Sequence, residues 1–346
     1  MSGVMNKKCG FGIIGCGLIA NWHADSITGI DDAQLIGVTD VNLQNASRFA
    51  AKYGCRTFDS VDEMLACDDI EAVCICTPSG LHASIAVKVA LAGKHFAVEK
   101  PFAITKEQIS EVIAACEKNN VKGAVISQFR FSEAINHVKN AIECGALGDL
   151  ILGDVYMKYY RSSEYYSSSS WKGTWAMDGG GALMNQGIHG IDILQYLMGP
   201  VKSVYGVCKT LVRDIEVEDT ANLVLEYENG AIGTIQGTTS VSPGYPRRME
   251  ISGTKGTVIL TEAVITTWDV EGYEPPASAT ICSGTKSFND PAALATTNHK
   301  KQLADLVEAI RDDRPPVVDI YEGKKPVDII LAAYESSRTK KVIYLS

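Results

Sequence analysis

Short apolar runs of strand length alternate with helix-patterned segments along the N-terminal part of the chain. The apolar runs predict buried strands, which lie at 9–15, 33–40, 71–77, 94–100 and 121–128. Helical spacing between them predicts helices at 18–30, 42–54, 82–93 and 105–119. Because short apolar strands alternating with helices are typical of a parallel sheet covered on both faces, we expect residues 1–128 to form a doubly wound α/β domain.

The pattern changes after residue 128. A helix predicted at 132–144 is followed by longer, alternating segments rich in Thr, Val and Tyr, which predict strands at 150–160, 201–210, 219–227, 231–239, 248–252 and 256–268. The turn sequences "ENGAIG" and "GTKGTV" join such strands in antiparallel fashion. Further helices are predicted at 186–198, 299–311 and 324–339. We therefore expect residues 129–346 to form an α+β domain on a large, open, mainly antiparallel sheet.

Composition narrows the classes of function. The chain has 346 residues, 46% of them apolar and 21% charged, which suits a globular protein of two domains. Its net charge of −9 disfavours nucleic acid as a partner, because proteins that bind nucleic acid present a basic face. No uncharged apolar run reaches membrane length and no secretory leader precedes the first strand, so we expect no membrane association and a cytoplasmic protein.

The ten cysteines mostly lie within apolar strand or helix patterns, where a free thiol behaves as a small core residue. Cys74 and Cys76 have no second Cys or His pair at zinc spacing, so no metal site is predicted. Reduced thiols agree with a cytoplasmic location.

The segment "GIIGCGLIA" has the G-x-G-x-x-A form of a dinucleotide fingerprint, after a strand and at the start of a helix. Gly15 permits the tight turn, Gly17 lets the backbone approach a pyrophosphate, and Ala20 lets the helix pack closely on the strand. The helix begins at Leu18 and Ile19, whose amides are available to phosphate oxygens. The segment predicts a dinucleotide site.

Asp40 ends the second predicted strand, twenty residues after Ala20. A carboxylate at that position can bind the adenosine ribose hydroxyls, and its charge would repel a 2′-phosphate. No arginine follows it in "DVNLQN", so we expect NAD rather than NADP. A purely structural strand–turn–helix would explain the glycines but not the acid.

Three further motifs accompany the fingerprint: "CTPSGLH" (76–82), "EKP" (99–101) and "GGGALMNQGIHGID" (179–192). The first two lie at the ends of predicted parallel strands, where ligands of open α/β sheets bind. With these motifs in this order, the chain resembles the glucose–fructose oxidoreductase/inositol dehydrogenase (Gfo/Idh/MocA) family over essentially its whole length. The resemblance implies a Rossmann domain, an open-sheet C-terminal domain, and hydride transfer between NAD(P) and a sugar or cyclitol carbon.

The resemblance also implies roles for individual residues. Lys100 would contact the reacting hydroxyl and the nicotinamide ribose, and His189 would serve as the acid/base. The other cofactor contacts implied are Thr77, Pro78, His82 and Glu99. The chemistry agrees, because a histidine titrates near neutral pH and an ammonium stabilises a developing alkoxide. Taken alone, His189 on an apolar helix face would favour a hydrogen-bonded core histidine, and the resemblance reverses that preference.

Asn185 occupies a position where many members of the family carry Asp. Four residues before His189, it would share one face of a helix with the histidine. An amide cannot carry the proton, so Lys100 and His189 would share the acid/base work while Asn185 orients a sugar hydroxyl. This form most resembles members that act on nucleotide-linked sugars, such as UDP-N-acetylglucosaminuronate 3-dehydrogenases.

The segment 156–182, just before that helix, is rich in Tyr, Trp, Arg and Ser, a composition that suits a sugar ring. We expect substrate contacts from Arg161, Trp171, Lys172 and Trp175, with the two cations available to a carboxylate or phosphate. The alternative is an ordinary surface loop whose tryptophans pack on the body of the protein.

Two arginines and a histidine elsewhere in the chain are not assigned to the substrate site. Arg247 and Arg248 open a predicted strand, and since neighbours on a strand face opposite sides, one of them should be solvated. His299, at the start of a helix, is interpreted as structural rather than as part of the site.

These features predict an NAD-dependent oxidoreductase that acts on a secondary alcohol of a sugar, sugar derivative or cyclitol. Two alternatives stay open: a glycoside hydrolase that uses NAD through transient oxidation, and a non-catalytic NAD- or sugar-sensing protein of the same fold. An open sheet leaves an apolar face uncovered, so we also expect a homo-oligomer, either a dimer or a tetramer.

Overall fold

The computed structural model describes residues 8–276 and 297–345; Cys282 lies outside them. The chain divides into two compact units, which are Met1–Gln128 with Ala295–Lys324, and Phe129–Leu294 with Lys325–Ser346. The sequence prediction placed all of 129–346 in one domain, whereas Ala295–Lys324 clusters with the first unit.

The first unit is built on a six-stranded parallel sheet with strand order β3-β2-β1-β4-β5-β6. This is the strand order of a Rossmann fold, and it confirms the predicted class. The strands are β1 Cys9–Ile14, β2 Ala33–Thr39, β3 Arg56–Thr57, β4 Ala72–Ile75, β5 His95–Val98 and β6 Gly123–Val125. Every residue of β1 and of β4 is buried, as continuous apolar runs require.

The helices of this unit begin and end at residues suited to those positions. The Asn42 side chain caps α2, and Gly54 follows its last turn with a φ of 67°. Thr105 caps α5 in the same way. The helices are α1 Leu18–Thr28, α2 Leu43–Tyr53, α3 Val61–Leu65, α4 His82–Leu91 and α5 Lys106–Asn119.

Helix α9 (Thr297–Arg311) explains why the domain boundary differs from the prediction. Its buried residues Leu303, Leu306 and Val307 belong to the same apolar cluster as Phe11 and Ile13 of β1. An amphipathic helix late in the sequence therefore completes the core of the N-terminal sheet, which local pattern alone does not reveal.

The second unit is built on an eight-stranded sheet of order β13-β12-β11-β7-β10-β9-β8-β14. Its pairings are antiparallel except for β7 with β10, which is parallel. The strands are β7 Leu150–Lys158, β8 Val201–Lys209, β9 Thr220–Tyr227, β10 Ile232–Thr238, β11 Arg248–Gly253, β12 Gly256–Thr261, β13 Val264–Val270 and β14 Ile343–Tyr344.

The helices of the second unit include α6 (Glu133–Glu143), the short α7 (Ser163–Ser167) and α8 (Ile188–Met198). Helix α8 packs on β7 so closely that a Cβ at Gly190 would lie 2.5 Å from the Met157 sulfur. Helix α10 (Ile320–Thr339) belongs to the first unit as far as Lys324 and to the second from Lys325. Within residues 8–276 and 297–345, no helix combines the length and apolar character of a membrane span.

Two predicted elements of this unit differ from the structure. The strand predicted at 256–268 is two strands, β12 and β13, separated by a turn in which Glu262 has a φ of 55°. The helix predicted at 186–198 is preceded by a π-helical segment, Ala182–Gly187, so regular α-helix begins only at Ile188. Such π-helical turns occur frequently at functional sites.

Candidate active site

The glycine-rich turn of the first unit follows β1. Gly15 has a φ of 91°, and a Cβ there would lie 2.7 Å from the carbonyl oxygen of Cys76. At Gly17, which precedes α1, a Cβ would meet no heavy atom within 4 Å. No side chain caps this helix, so its first amides, including those of Leu18 and Ile19, have no side-chain acceptor at the N-cap. The turn thus presents open space and amide donors together.

Asp40 lies directly beside this turn. One carboxylate oxygen accepts a hydrogen bond from the Cys16 amide at 2.8 Å, and the other accepts one from the Asn42 amide at 2.8 Å. Each oxygen retains a lone pair for a further donor. The acid is therefore oriented by the backbone and suited to a pair of ribose hydroxyls.

The 76–82 motif is connected to the EKP motif through His82. This side chain is buried, with Nδ1 2.7 Å from the Pro101 carbonyl oxygen and Nε2 2.9 Å from that of Thr77. Burial lowers the pKa of His82, and this outweighs the two carbonyls, which raise it. His82 thus connects two loops, and within the second of them the Lys100–Pro101 peptide bond is cis. A contact of His82 with the cofactor stays a prediction.

Glu99 is 6% exposed, and its carboxylate lies 2.8 Å from His23 Nε2. Burial alone would raise the pKa of Glu99, but the hydrogen bond and charge of His23 hold it at about 2. The second carboxylate oxygen accepts a hydrogen bond from the Lys100 amide at 3.3 Å. The resemblance implied that Glu99 holds the edge of the cofactor; in the structure both its oxygens are engaged by the protein itself.

His299 lies against the same cluster. Its ring is 1% exposed and lies edge-on to Trp22, with 5.3 Å between ring centroids, and 6.0 Å from the ring of His23. Burial lowers the pKa of His299 to about 4, so it is neutral beside the Glu99–His23 pair. This agrees with the structural interpretation of His299.

The residues present fit NAD. Gly17 leaves room for a pyrophosphate, Asp40 offers a carboxylate to a ribose, and the buried Thr77 hydroxyl has no hydrogen-bond partner among the residues described. A buried hydroxyl without a partner is uncommon and suits a ligand contact. The residues that would hold the cofactor are Gly15, Gly17, Leu18, Ile19, Asp40, Thr77, Pro78 and Lys100.

In the second unit, two of the three glycines before His189 lie against other parts of the chain. A Cβ at Gly181 would overlap the carbonyl oxygen of Glu218, and one at Gly180 would overlap the Tyr334 hydroxyl. The Glu218 carboxylate accepts hydrogen bonds from the amides of Gly181 and Leu183, at 2.9 and 2.8 Å, and from Tyr334 at 2.9 Å. The glycines therefore allow a close approach that fixes the start of the π-helical segment.

Asn185 lies in that segment and is bound by a carboxylate that the sequence analysis did not identify. Its amide nitrogen donates to Asp178 at 2.7 Å, and its amide oxygen accepts from Gln186 at 3.1 Å. Asp178 is 1% exposed and also accepts the Gly173 amide at 2.9 Å. Asn185 itself has no carboxylate, but it is hydrogen-bonded directly to the carboxylate of Asp178.

Two of the predicted substrate cations join this chain. Arg161 donates to the Gln186 amide oxygen at 2.8 Å, and Gln186 in turn donates to the Tyr165 hydroxyl at 3.0 Å. The Lys172 ammonium lies 4.1 Å from the centroid of the Tyr165 ring. Arg161, Lys172 and Asn185 are therefore brought together, and their contact with a substrate stays a prediction.

The two tryptophans have other surroundings. Trp175 is 46% exposed and lies edge-on to Tyr334, with 5.2 Å between centroids. Trp171 is half-buried, and its carbonyl oxygen accepts the Thr174 hydroxyl at 2.7 Å. These contacts do not join them to the Asn185 network, so their substrate roles stay predictions.

His189 is half-buried and packs edge-on against Phe129, with 5.4 Å between ring centroids. On the same ring lies the guanidinium of Arg247, 4.7 Å from the centroid. Arg247 is 2% exposed, while the Arg248 side chain is 52% exposed and paired with Glu250 at 2.9 Å. The prediction that one of the two arginines is solvated is confirmed.

Sequence reasoning missed several residues of this network. Asp178 stands directly before the three glycines, and Gln186 directly follows Asn185, so both were within the motif. Tyr165 lay in the aromatic segment without a distinguishing signal. His23 and Glu218 carried no local signal at all, because their partners are 76 and 35 residues away respectively.

Two family models match parts of the chain. Residues 9–127 match the model of the oxidoreductase family with an NAD-binding Rossmann fold. Residues 135–259 match the model of the GFO/IDH/MocA C-terminal domain. Together the two models cover most of the chain.

Individual relatives extend the likeness. The WlbA dehydrogenase from Bordetella pertussis, crystallised with NADH and UDP-GlcNAcA, is 34% identical with a TM-score of 0.89, over 99% of each chain. Myo-inositol 2-dehydrogenase from Thermotoga maritima is 25% identical over 96% of this chain and 98% of its own. Inositol 2-dehydrogenase from Rhizobium meliloti is 30% identical over 72% of this chain and 74% of its own. The chain therefore belongs to the Gfo/Idh/MocA family, and it is an NAD-dependent oxidoreductase that acts on CH–OH groups.

Proposed function

We propose that the protein is a dehydrogenase of nucleotide-linked sugars, of the kind represented by UDP-N-acetylglucosaminuronate. The observation that carries this proposal is the likeness, over 99% of both chains, to a dehydrogenase crystallised with UDP-GlcNAcA. The cations and amides around Asn185 support it, because a charged, hydroxyl-rich ligand needs such donors. Inositol has no charged group to engage them.

In the proposed chemistry, bound NAD accepts the hydride when the alcohol is oxidised. Lys100 would stabilise the alkoxide that develops as the hydroxyl proton leaves, and His189 would take that proton. Asn185 would hold a sugar hydroxyl, because its amide is fixed by Asp178. Glu99 and His23 would position Lys100 through the hydrogen bond to its backbone amide.

A substrate screen tests the proposal. Purified protein is mixed with NAD and, in turn, with UDP-N-acetylglucosaminuronate, other UDP-sugars, free sugars and inositols, and NADH is followed by absorbance. We expect NADH formation to be fastest with the acidic UDP-sugar. NADH formation with inositol alone would contradict the nucleotide-sugar assignment, and release of an aglycone without net NADH would favour a hydrolase. Binding without turnover of any compound would favour a sensor.

We further propose that the protein assembles with copies of itself through the uncovered face of the eight-stranded sheet. Leu152, Val224 and Ile232 on that sheet are 40%, 54% and 52% exposed, and apolar patches of this kind favour association. Light scattering at micromolar concentration should give a dimer or tetramer, and Val224→Asp with Ile232→Asp should lower the mass. A monomeric wild-type protein would refute the assembly.

The proposed compartment is the cytoplasm, in keeping with nine free cysteines in the described part of the chain.

A further inference from the structure

Two buried arginines of the second unit have donors without acceptors. Arg247 is 2% exposed, and neither its Nε nor its Nη2 has a hydrogen-bond partner among the described residues. Arg161 is 7% exposed, and its Nε is likewise without a partner there. Since buried polar groups of folded proteins are nearly always hydrogen-bonded, these donors point to an acceptor that the folded chain does not supply.

The free donors of Arg247 have a specific geometry. Nε and Nη2 lie on one edge of the planar guanidinium group, and this edge matches the two oxygens of a carboxylate. Glu262 forms an ion pair with Arg247, with 3.4 Å between its Oε2 and Nη2, and its Oε1 accepts the Arg247 amide at 2.7 Å. Neither Nε nor Nη2 makes a hydrogen bond to a described residue, so the hydrogen-bonding capacity of this edge is unused despite the ion pair.

The two guanidinium groups belong to one end of the sheet. Arg161 follows β7, and Arg247 precedes β11, its antiparallel neighbour. Both act on the buried Tyr159 hydroxyl: burial raises the pKa of Tyr159, the charges of Arg247 and Arg161 oppose that rise, and the charge of Glu262 adds to it. An anion at this end of the sheet would meet two cations, one of them already paired with Glu262.

Each arginine is also connected to a proposed site residue through one intervening side chain. Arg247 and His189 contact the same ring, that of Phe129. Arg161 donates to Gln186, whose amide in turn donates to Asn185. A ligand that places a hydroxyl at His189 and Asn185 could thus place a neighbouring anionic group at the arginines.

We propose that Arg247, assisted by Arg161, binds the sugar carboxylate of the substrate and makes the enzyme selective for uronic acids over the corresponding neutral sugars. This proposal rests on the proposed function, because it assigns a subsite within the same substrate site. Lys172 and the exposed Arg248 have no role in it.

The test compares two substrates that differ only at this group, UDP-N-acetylglucosaminuronate and UDP-N-acetylglucosamine. For the wild type, kcat/KM should favour the acid. Arg247→Met should lower the acid-to-neutral ratio of kcat/KM by about 10- to 100-fold, mainly through KM, since charge-assisted hydrogen bonds are lost. The matched control Arg248→Met removes a neighbouring but exposed arginine and should leave the ratio unchanged.

Several outcomes would overturn the proposal. Equal losses for both substrates would assign Arg247 to the nucleotide diphosphate or to folding, and a wild type without preference for the acid would remove the subsite. If Arg247→Met fails to fold, calorimetry of the NADH-bound wild type with the two UDP-sugars still decides, because the subsite requires tighter binding of the acid. Failure of both UDP-sugars to bind would instead refute the proposed function.

Discussion

Each of the two units buries a glutamate, and the two carboxylates are stabilised in different ways. Glu99 of the first unit is 6% exposed and pairs with His23, and its pKa is about 2. Glu218 of the second unit is 3% exposed, its hydrogen-bond donors among the described residues are backbone amides and a hydroxyl, and burial raises its pKa to about 7. Burial is similar, but the charge of the partner differs.

The difference shows that neutral donors did not offset the desolvation of a carboxylate here, whereas a cation did. Glu99 therefore stays ionised across neutral pH, and its charge contributes to the electrostatics around Lys100. Glu218 changes protonation near pH 7 and serves chiefly to fix the backbone before Asn185 and His189. In the first unit, the ionised Glu99 accepts the backbone amide of the proposed catalytic residue Lys100. In the second unit, the titrating Glu218 binds the backbone of the segment that precedes the proposed catalytic residue His189.

The largest expected effect is the loss of kcat on substitution of the two proposed catalytic residues, Lys100 and His189. Lys100→Ala and His189→Ala should each lower kcat by roughly 10²–10⁴-fold, the usual contribution of acid–base assistance. NAD affinity, measured by calorimetry, should fall far less than kcat, because the glycine turn and Asp40 keep their contacts with the cofactor in both variants. Lys106→Ala, which removes an exposed lysine, is the control.

A loss of NAD affinity as large as the loss of kcat would show that Lys100 acts in binding. Near-wild-type turnover in His189→Ala would assign that histidine to packing against Phe129, which it contacts edge-on.

The comparison of the two acids is tested by the pH dependence of stability. A folded-state pKa raised from 4.5 to about 7 means that the contribution of Glu218 is fully present below pH 4.5 and is lost as the pH rises through 7. The change amounts to about 3 kcal/mol. The free energy of unfolding by urea should therefore fall between pH 5 and 8 in the wild type, and Glu218→Gln should remove this part of the slope.

Glu228→Gln, at an exposed position, should keep the wild-type slope. Glu99 behaves oppositely, since its lowered pKa gives a contribution present above pH 4.5 that is lost as the pH falls towards 2. Identical slopes in the wild type and Glu218→Gln would mean that Glu218 is ionised at neutral pH despite its burial.

Most of the fold followed from hydrophobic pattern. Five of the six strands of the first sheet and most of those of the second lie where apolar runs and alternation predicted them, because side-chain burial sets a local period. The two-residue strand β3 (Arg56–Thr57) was not predicted, because both of its residues are exposed. The turn at Glu262 was missed because a non-glycine residue with a positive φ leaves no distinctive sequence signal. Helix α9 was found, but its assignment to the first unit depends on packing between residues nearly 300 positions apart in sequence, such as Phe11 and Leu303.

Site residues within a known motif could be predicted from the sequence, whereas contacts between residues far apart in the sequence could not. Asp40 and Gly17 lie where the fingerprint placed them, and Asn185 is connected to Arg161 through Gln186. Asn185 in the motif indicates the replacement of a carboxylate by an amide, but no sequence signal shows that Asp178 binds this amide. The surroundings of Glu99 were likewise unforeseen, because His23 lies on a helix 76 residues earlier.

The two units also differ in the surroundings of their motif glycines, since Gly181 is packed and Gly17 faces open space. Alanine substitutions at these positions should have smaller effects than the changes above. Gly181→Ala would press a methyl group onto the Glu218 backbone and should lower the free energy of unfolding by about 1–3 kcal/mol. Gly17→Ala meets open space and should leave stability within about 0.5 kcal/mol of the wild type, while weakening NAD binding. Thermal melts and NAD calorimetry on both variants distinguish a packed glycine from a ligand-facing one, and reversed results would contradict the assignment.

The smallest expected effect concerns the amide of Asn185. Asn185→Asp alone would place two carboxylates at the 2.7 Å contact with Asp178, where repulsion makes the pair share a proton and adds little charge. Exchanging the two residues, by Asp178→Asn together with Asn185→Asp, keeps one acid and one amide but moves the charge to the position four residues before His189. A nearby anion favours the imidazolium, so the acidic limb of the kcat/KM profile should rise by up to about one pH unit in the exchange variant and by less in the single variant. The measurement is a pH–rate profile of wild type, single and exchange variants with the best substrate from the screen. A limb that stays in place in an active exchange variant would mean that His189 is not the group whose proton the reaction requires.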